Sequence, residues 1–182
     1  MIKYSCPKDV WESDKAFGDK MHNVALPHYH HVFGKLNIGT TDGDELDRRF
    51  AIDCIGEDKK KIKLYLQEKS LRYDKIQFNA VTIEYMSNVP HKIKGAFFTL
   101  NIDYYVFGYA TEDEIMFEHL WIFKWNQFKS WLQNQFSEEG LKKFLRYNYV
   151  HSRGSFLAIP IDWIPSDIIK YEYHKGNTLF GF

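Results

Sequence analysis

The chain has 182 residues, with 24 Lys plus Arg balancing 24 Asp plus Glu and an aromatic content of 18%. That length fits one domain with a real core, and the aromatic content excludes a disordered chain, which needs low hydrophobicity and an excess of one charge. No run of about 18 apolar residues occurs, which excludes a spanning helix; residues 1–7 lack a signal-like apolar run, and the expectation is a cytoplasmic protein. Two cysteines, Cys6 and Cys54, fit a reducing compartment.

In chain order, Trp11 to Ala25 has helical spacing, with Phe17, Met21, Val24 and Ala25 on one face. Pro27 is expected to end or bend that helix, and His28 to Leu36 to form a second short helical piece. Gly39 to Asp44 (GTTDGD) reads as a loop. Strands are expected at Arg49–Ile55 and Lys61–Lys69, joined by a polar turn at Glu57–Lys60 in a plausible hairpin. Further strands are expected at Ala80–Met86, Ala96–Leu100, Tyr104–Tyr109, Leu120–Lys124 and Phe156–Ile161. An amphipathic helix is expected at Gln127–Phe136 and one helical turn at Pro165–Ile169. No repeat or linker divides the chain, so residues 1–182 read as a single domain of α/β (α+β) class.

Neutrality is an average over opposed patches. Arg48 to Lys75 holds nine basic residues against five acidic ones, whereas the acids between Asp103 and Glu118 have no basic residue among them. The 59–61 lysines suit a solvated hairpin tip as well as a phosphate contact.

Alternation along a strand places Tyr65, Gln67 and Lys69 on one face of KIKLYLQEK and Leu64, Leu66 and Glu68 on the other. Asp53 lies inside an otherwise apolar strand, where a charge is costly unless paired or bound to a cation. Thirteen residues separate Asp53 from Gln67, a length that lets a hairpin bring Asp53, Gln67 and Lys69 to one spot. A carboxylate and a neutral amide oxygen suit Mg²⁺ or Mn²⁺, and a neighbouring ammonium suits the charge that develops in phosphodiester hydrolysis.

An Asp ending one strand (IDCI, 52–55), followed by an acid-x-Lys in the next (LQEK, 66–69) and then by further strands and a helix, resembles the PD-(D/E)xK nuclease superfamily. Segments 102–109 (IDYYVFGY) and 154–165 (GSFLAIPIDWIP) look like closing strands of its small phage and bacterial members. The resemblance covers residues 11 to 165. It implies a restriction-endonuclease-like core, a mixed β-sheet flanked by helices, in a Mg²⁺-dependent endonuclease acting on DNA, with Asp53, Gln67 and Lys69 catalytic and Asp53 and Gln67 on the metal. Two departures are Gln67 where an acid is usual and Ile52 where the name has Pro.

Members often add an acid from the first helix. Helical projection puts Asp14 within the face of Phe17, Met21 and Ala25 and turns Asp19 away, so Asp14 is the expected third catalytic and metal-binding residue; its other reading is an acid favoured by the helix dipole. Gly18 and His22 also resemble a first-helix Gly-x-x-x-His. Arg72, Lys60, Lys61 and Lys63 are the expected DNA contacts. Glu84 suits either the site or solvent. The His28, His30 and His31 cluster lacks zinc-site spacing. Double-strand cutting makes a homodimer reasonable. Competing readings are a catalytically inactive nuclease-fold protein that binds DNA or another protein, and an interaction protein using its acidic and aromatic surface.

Overall fold

A computed structural model describes residues 8–41, 52–57, 60–147 and 154–176. Met1–Pro7, the second half of the 39–44 loop, the first residues of the Arg49–Ile55 strand, and Asp58 and Lys59 of the polar turn lie outside the described residues.

The chain opens with helix α1 (Lys8–Phe33). Phe17, Met21, Ala25 and Tyr29, four residues apart, are all buried, which is the apolar stripe a helix needs to dock. This single helix replaces the two pieces expected around Pro27. Pro27 forgoes the hydrogen bond its nitrogen cannot make to Asn23. Burial of Met21 and Ala25 before Pro27 and of Tyr29 after it keeps the helix continuous. Gly34, at φ +78°, ends it in the left-handed conformation glycine tolerates best.

Two sheets follow. The larger has six strands in the order β1 (Asn37–Thr40), β2 (Cys54–Glu57), β3 (Lys63–Leu71), β6 (Tyr104–Ala110), β7 (Phe117–Lys124) and β10 (Ile169–His174). It is mixed: β3 and β6 run parallel, and the other neighbours pair antiparallel. The smaller sheet has the order β5 (Ile93–Lys94), β4 (Ala80–Asn88), β9 (Ser155–Pro160) and β8 (Leu145–Tyr147). The protein is therefore of mixed α/β class.

Alternation along β6 and β7 decides the layering. Val106, Ala110, Leu120 and Ile122 face α1 and pack with Phe17, Met21 and Tyr29. Tyr105, Phe107, Tyr109, Trp121 and Phe123 face the other way and join Val81, Ile83, Leu157 and Ile159 of the smaller sheet. Phe128 and Leu132 of helix α2 (Trp125–Gln135) complete that larger cluster. Gly108 sits where β6 and β7 are tightest, since a Cβ there would stand 2.6 Å from the Phe117 ring. No helix among the described residues is long and apolar enough to cross a membrane.

The structure departs from the sequence expectations at several elements. Asn37–Thr40 is an edge strand rather than the start of a loop, because it pairs with Cys54–Glu57. Ala96–Thr99 forms a helical turn, not a strand, placing Phe97 in the core between Gly95 and Leu100. The turn expected at Pro165–Ile169 is present, closed by Ile168 N–H on the Pro165 carbonyl at 3.1 Å and Ile169 N–H on the Ser166 carbonyl at 3.2 Å; a 3₁₀ turn at Ile161–Trp163 precedes it, and Ile169 already begins β10.

Candidate functional site

The site lies where β2 and β3 run side by side. Their register pairs Cys54 with Leu66 and Glu57 with Lys63, so the turn lies beyond Glu57 and Asp53 stands at the opposite end of the hairpin. Two backbone hydrogen bonds hold Asp53 there: its N–H donates 3.0 Å to the Leu66 carbonyl, and its carbonyl accepts from Thr41 N–H at 3.0 Å.

Asp53 and Gln67 meet as the alternation argument required. Gln67 Nε2 donates to Asp53 Oδ2 at 2.6 Å, and Glu68 N–H donates to the same oxygen at 2.7 Å. Gln67 Oε1 is buried and has no hydrogen-bond partner among the described residues. An acceptor buried without a donor loses its water and gains nothing in return, typically about 1–3 kcal/mol. Lys69 follows on the same face of β3, exposed, and with Asp53 lines an open cleft of about 1190 Å³ between β3 and α1.

The intervening residue on the other face is Glu68, to which alternation alone gives no role. Its carboxylate points at α1. It receives His22 Nδ1 at 3.0 Å on both oxygens, the Tyr29 hydroxyl, and Cys54 Sγ at 3.6 Å. The hydrogen bond to Glu68, opposed by burial, raises the His22 pKa above its ordinary value. Burial is the main cause that pushes the Tyr29 hydroxyl and the Cys54 thiol up, with Glu68 adding to it. The signal was present in the sequence: Glu68 occupies the inward register beside Leu66 and Cys54, a position where a carboxylate needs partners. His22 was noted for its spacing from Gly18, but nothing local ties it to a residue 46 positions away.

Asp14 does not lie on the buried face where the helical projection puts it. Its side chain is 69% exposed and stands 3.7 Å from Arg72 on the cleft rim rather than on the buried face. The stripe of α1 begins one turn later, at Phe17, so an acid in the preceding turn faces solvent. The α1 side chains that hydrogen-bond to β3 at Glu68 are His22 and Tyr29. Arg72 is engaged by Glu114, by Asp14, by Ser13 Oγ at 3.3 Å, and by the Phe17 ring at 4.3 Å. It ties α1 and the 111–116 turn to the end of β3. Arg72 with Lys20, and Lys175 further on, also supply cations for Glu114 and Glu118 that their own segment lacks.

Lys60, Lys61 and Lys63 are exposed at the hairpin turn. Lys63 precedes Gln67 by four strand residues, roughly 13–14 Å along β3, so these lysines lie at the far end of the hairpin from Asp53. Glu84 stands on β4 in the smaller sheet and accepts from Ala96 N–H at 3.3 Å. His28 packs against Tyr173, Tyr171 and Phe117 and hydrogen-bonds the Tyr171 hydroxyl at 3.0 Å, while His30 and His31 are exposed.

Comparison with protein-family models, with curated proteins and with solved structures finds no match to this chain.

Proposed function

We propose that this chain is a divalent-metal-dependent nuclease of the PD-(D/E)xK type that hydrolyses phosphodiester bonds in DNA. The observation that carries the reading is the convergence of Asp53, just before β2, with Gln67 of β3, the amide nitrogen against the carboxylate and the amide oxygen buried without a partner among the described residues. Mg²⁺ or Mn²⁺ favours hard oxygen donors of this kind. The Asp53 carboxylate and Gln67 Oε1 fit such an ion. Turned toward Asp53, that amide oxygen is repelled by the carboxylate unless a cation stands between them.

Bound there, the ion supplies Lewis acidity toward a phosphate oxygen and a water of lowered pKa. Asp53 contributes the charge that holds it, and Gln67 a neutral oxygen that orients it. Lys69, on the same face, places its ammonium against the negative charge that develops on the phosphate and helps position the attacking water. Lys60, Lys61 and Lys63 would contact backbone phosphates away from the scissile bond. Asp14 and Arg72 shape the cleft rim. Cutting both strands with one such site per chain calls for two copies, hence a homodimer. Action on DNA and the free Cys54 thiol accord with a reducing cytoplasm.

The test is cleavage of linear, single-stranded, nicked and branched DNA in Mg²⁺ or Mn²⁺ by the native chain and by Asp53→Asn. Metal-dependent cutting that the variant loses is expected. Neither cleavage nor salt-sensitive DNA binding with any substrate would end the reading.

A second reading, a nuclease-fold protein that binds DNA or another protein without cutting, is favoured by one observation. The Gln67 amide and the Glu68 N–H already satisfy Asp53 Oδ2, and a neutral Gln67 weakens any metal. DNA binding that falls steeply with salt, without cleavage, would select it.

A further inference from the structure

The α1 side of β3 carries a second donor set, of different chemistry from the Asp53–Gln67 pair. His22 comes from α1, Cys54 from β2 and Glu68 from β3, and their Nδ1, Sγ and carboxylate oxygen all lie within 4.8 Å of one another. Three elements far apart in sequence thus converge one nitrogen, one sulfur and one oxygen on a single point. We propose that His22, Cys54 and Glu68 form a binding site for a borderline transition-metal ion of the Zn²⁺ class.

The spacing fits such an ion. Zn²⁺ binds nitrogen and oxygen at about 2.0–2.2 Å and sulfur at about 2.3 Å, so donors at neighbouring tetrahedral corners stand roughly 3.3–3.7 Å apart. Here Nδ1 stands 3.0 Å from both Glu68 oxygens and Sγ 3.6 Å from one of them. The two separations from Glu68 already suit neighbouring corners, and His22 Nδ1 and Cys54 Sγ, within 4.8 Å of each other, would draw together to complete the coordination set. His22 and Cys54 each surrender the proton they now share with Glu68, so the ion replaces two hydrogen-bond protons, which leave to solvent.

Softness separates this site from the neighbouring one. A thiolate and an imidazole select Zn²⁺ or Co²⁺ over Mg²⁺, which prefers oxygen alone. The Tyr29 hydroxyl, bonded to Glu68 and fully buried, stands as an outer partner of the kind that orients a ligating carboxylate. Access is available from one side. Cys54 is fully buried, but His22 and Glu68 keep 14% and 15% exposure and both line the cleft. Three protein donors with an opening toward solvent is the arrangement of zinc sites that keep a fourth position for water or a substrate oxygen. The site also joins α1 to the two strands that hold Asp53 and Gln67, so its occupancy sets how firmly the cleft's two walls are tied.

The experiment is a titration of the metal-free native chain with Co²⁺ alone, followed by Zn²⁺. One equivalent of Co²⁺ should give tetrahedral d–d bands in the visible and a sulfur-to-Co²⁺ charge-transfer band in the near ultraviolet, and Zn²⁺ should bleach both. The charge-transfer band should survive Cys6→Ser and vanish in Cys54→Ser. Because Cys54 is buried and its replacement can disturb folding, the semi-exposed His22→Ala gives the second arm. It should weaken Co²⁺ binding by more than roughly 100-fold, beyond the loss that outer-partner changes cause, with an unchanged far-ultraviolet circular dichroism spectrum. No thiolate band in the folded native chain, or a band that depends on Cys6, or His22→Ala binding as tightly as native, would each overturn the site. These readouts use no DNA and no Mg²⁺, so they stand or fall apart from the nuclease reading.

Discussion

The two faces of β3 carry polar side chains one residue apart and solve the same electrostatic problem in opposite ways. On one face Gln67 reaches Asp53 and leaves an oxygen unmatched. On the other, Glu68 is met by His22, Tyr29 and Cys54. The first face holds a carboxylate that accepts from Gln67 and Glu68 beside one amide oxygen without a partner among the described residues; the second holds nitrogen, sulfur and oxygen that satisfy one another. The difference teaches that one strand can offer a ligand two kinds of place: an acceptor left without a donor, and a set of donors whose shared protons an ion would displace. A mutually satisfied cluster contributes structure even when it binds nothing.

The largest expected separation of the two faces comes from Asp53→Asn. The amide is isosteric and still accepts a hydrogen bond, so thermal unfolding should shift little. Loss of the only carboxylate in the Asp53–Gln67–Lys69 group should lower metal-dependent DNA cleavage by at least about 10²–10³-fold, the scale for removing a preorganised electrostatic group. Single-turnover cleavage beside a denaturation curve checks both halves.

Glu68→Ala should do the reverse. It leaves His22, Tyr29 and Cys54 facing a gap under α1, and breaking an enclosed ion pair from one side typically costs about 3–5 kcal/mol. With 15% of the Glu68 side chain still exposed, roughly 2–4 kcal/mol is the expectation, read from urea unfolding. Alternation alone predicts a mild effect for this residue because it faces away from Lys69. A mild result would mean that α1 does not depend on the cluster.

That contrast also explains what was legible in the sequence. Period-two alternation placed Asp53 and Gln67 together because both strands have buried apolar neighbours, Cys54 and Leu66, and a one-residue slip would bury the wrong set. The same rule finds only part of β10: Tyr171 and Tyr173 pack on the α1 side, while a register shift sends Ile169 to the other cluster. Helix continuity through Pro27 was not legible, since burial of Tyr29 against the sheet overrides a local breaker. Nor was the turn at Ala96–Thr99, whose AFFT residues favour a strand until Phe97 finds the core. The exposure of Asp14 was not legible for a simpler reason. A helical projection says which residues share a direction, not where along the axis the sheet begins to cover them.

A smaller effect compares two histidines on α1 by pH. The pKa of His22 is raised above 6.5, chiefly by its bond to Glu68. Its contribution to stability is therefore fully present below pH 6.5 and fades as pH rises through the raised value. His28 is lowered from 6.5 to about 4, chiefly by burial among the tyrosines of β10 and secondarily by His31. It must take up a proton on unfolding, so its contribution is present above pH 6.5 and is lost as pH falls toward about 4. Urea midpoints across this range should show His22→Gln flattening the alkaline side of the profile and His28→Gln the acid side. Both variants flattening the same side would contradict the assigned partners.

The smallest expected change in the native fold, and the sharpest test of the open face, is Gln67→Glu. It replaces an amide that donates to Asp53 at 2.6 Å with a second carboxylate. Without a cation the two repel, so one must take a proton or swing aside, and stability should fall by about 1 kcal/mol at neutral pH. With Mg²⁺ or Mn²⁺ the repulsion becomes shared coordination, and the variant should bind the ion more tightly than the native chain. At about 100 times its dissociation constant, an ion that binds only the folded state restores roughly 2.7 kcal/mol. The expected signature is therefore a lower melting temperature in chelator and a larger metal-induced rise than in the native chain, with cleavage retained. Glu68 and its partners lie on the other face, so the variant should leave the Co²⁺ spectrum of the native chain unchanged. A variant destabilised equally with and without Mg²⁺ or Mn²⁺ would show that the Asp53–Gln67 contact is only a structural hydrogen bond.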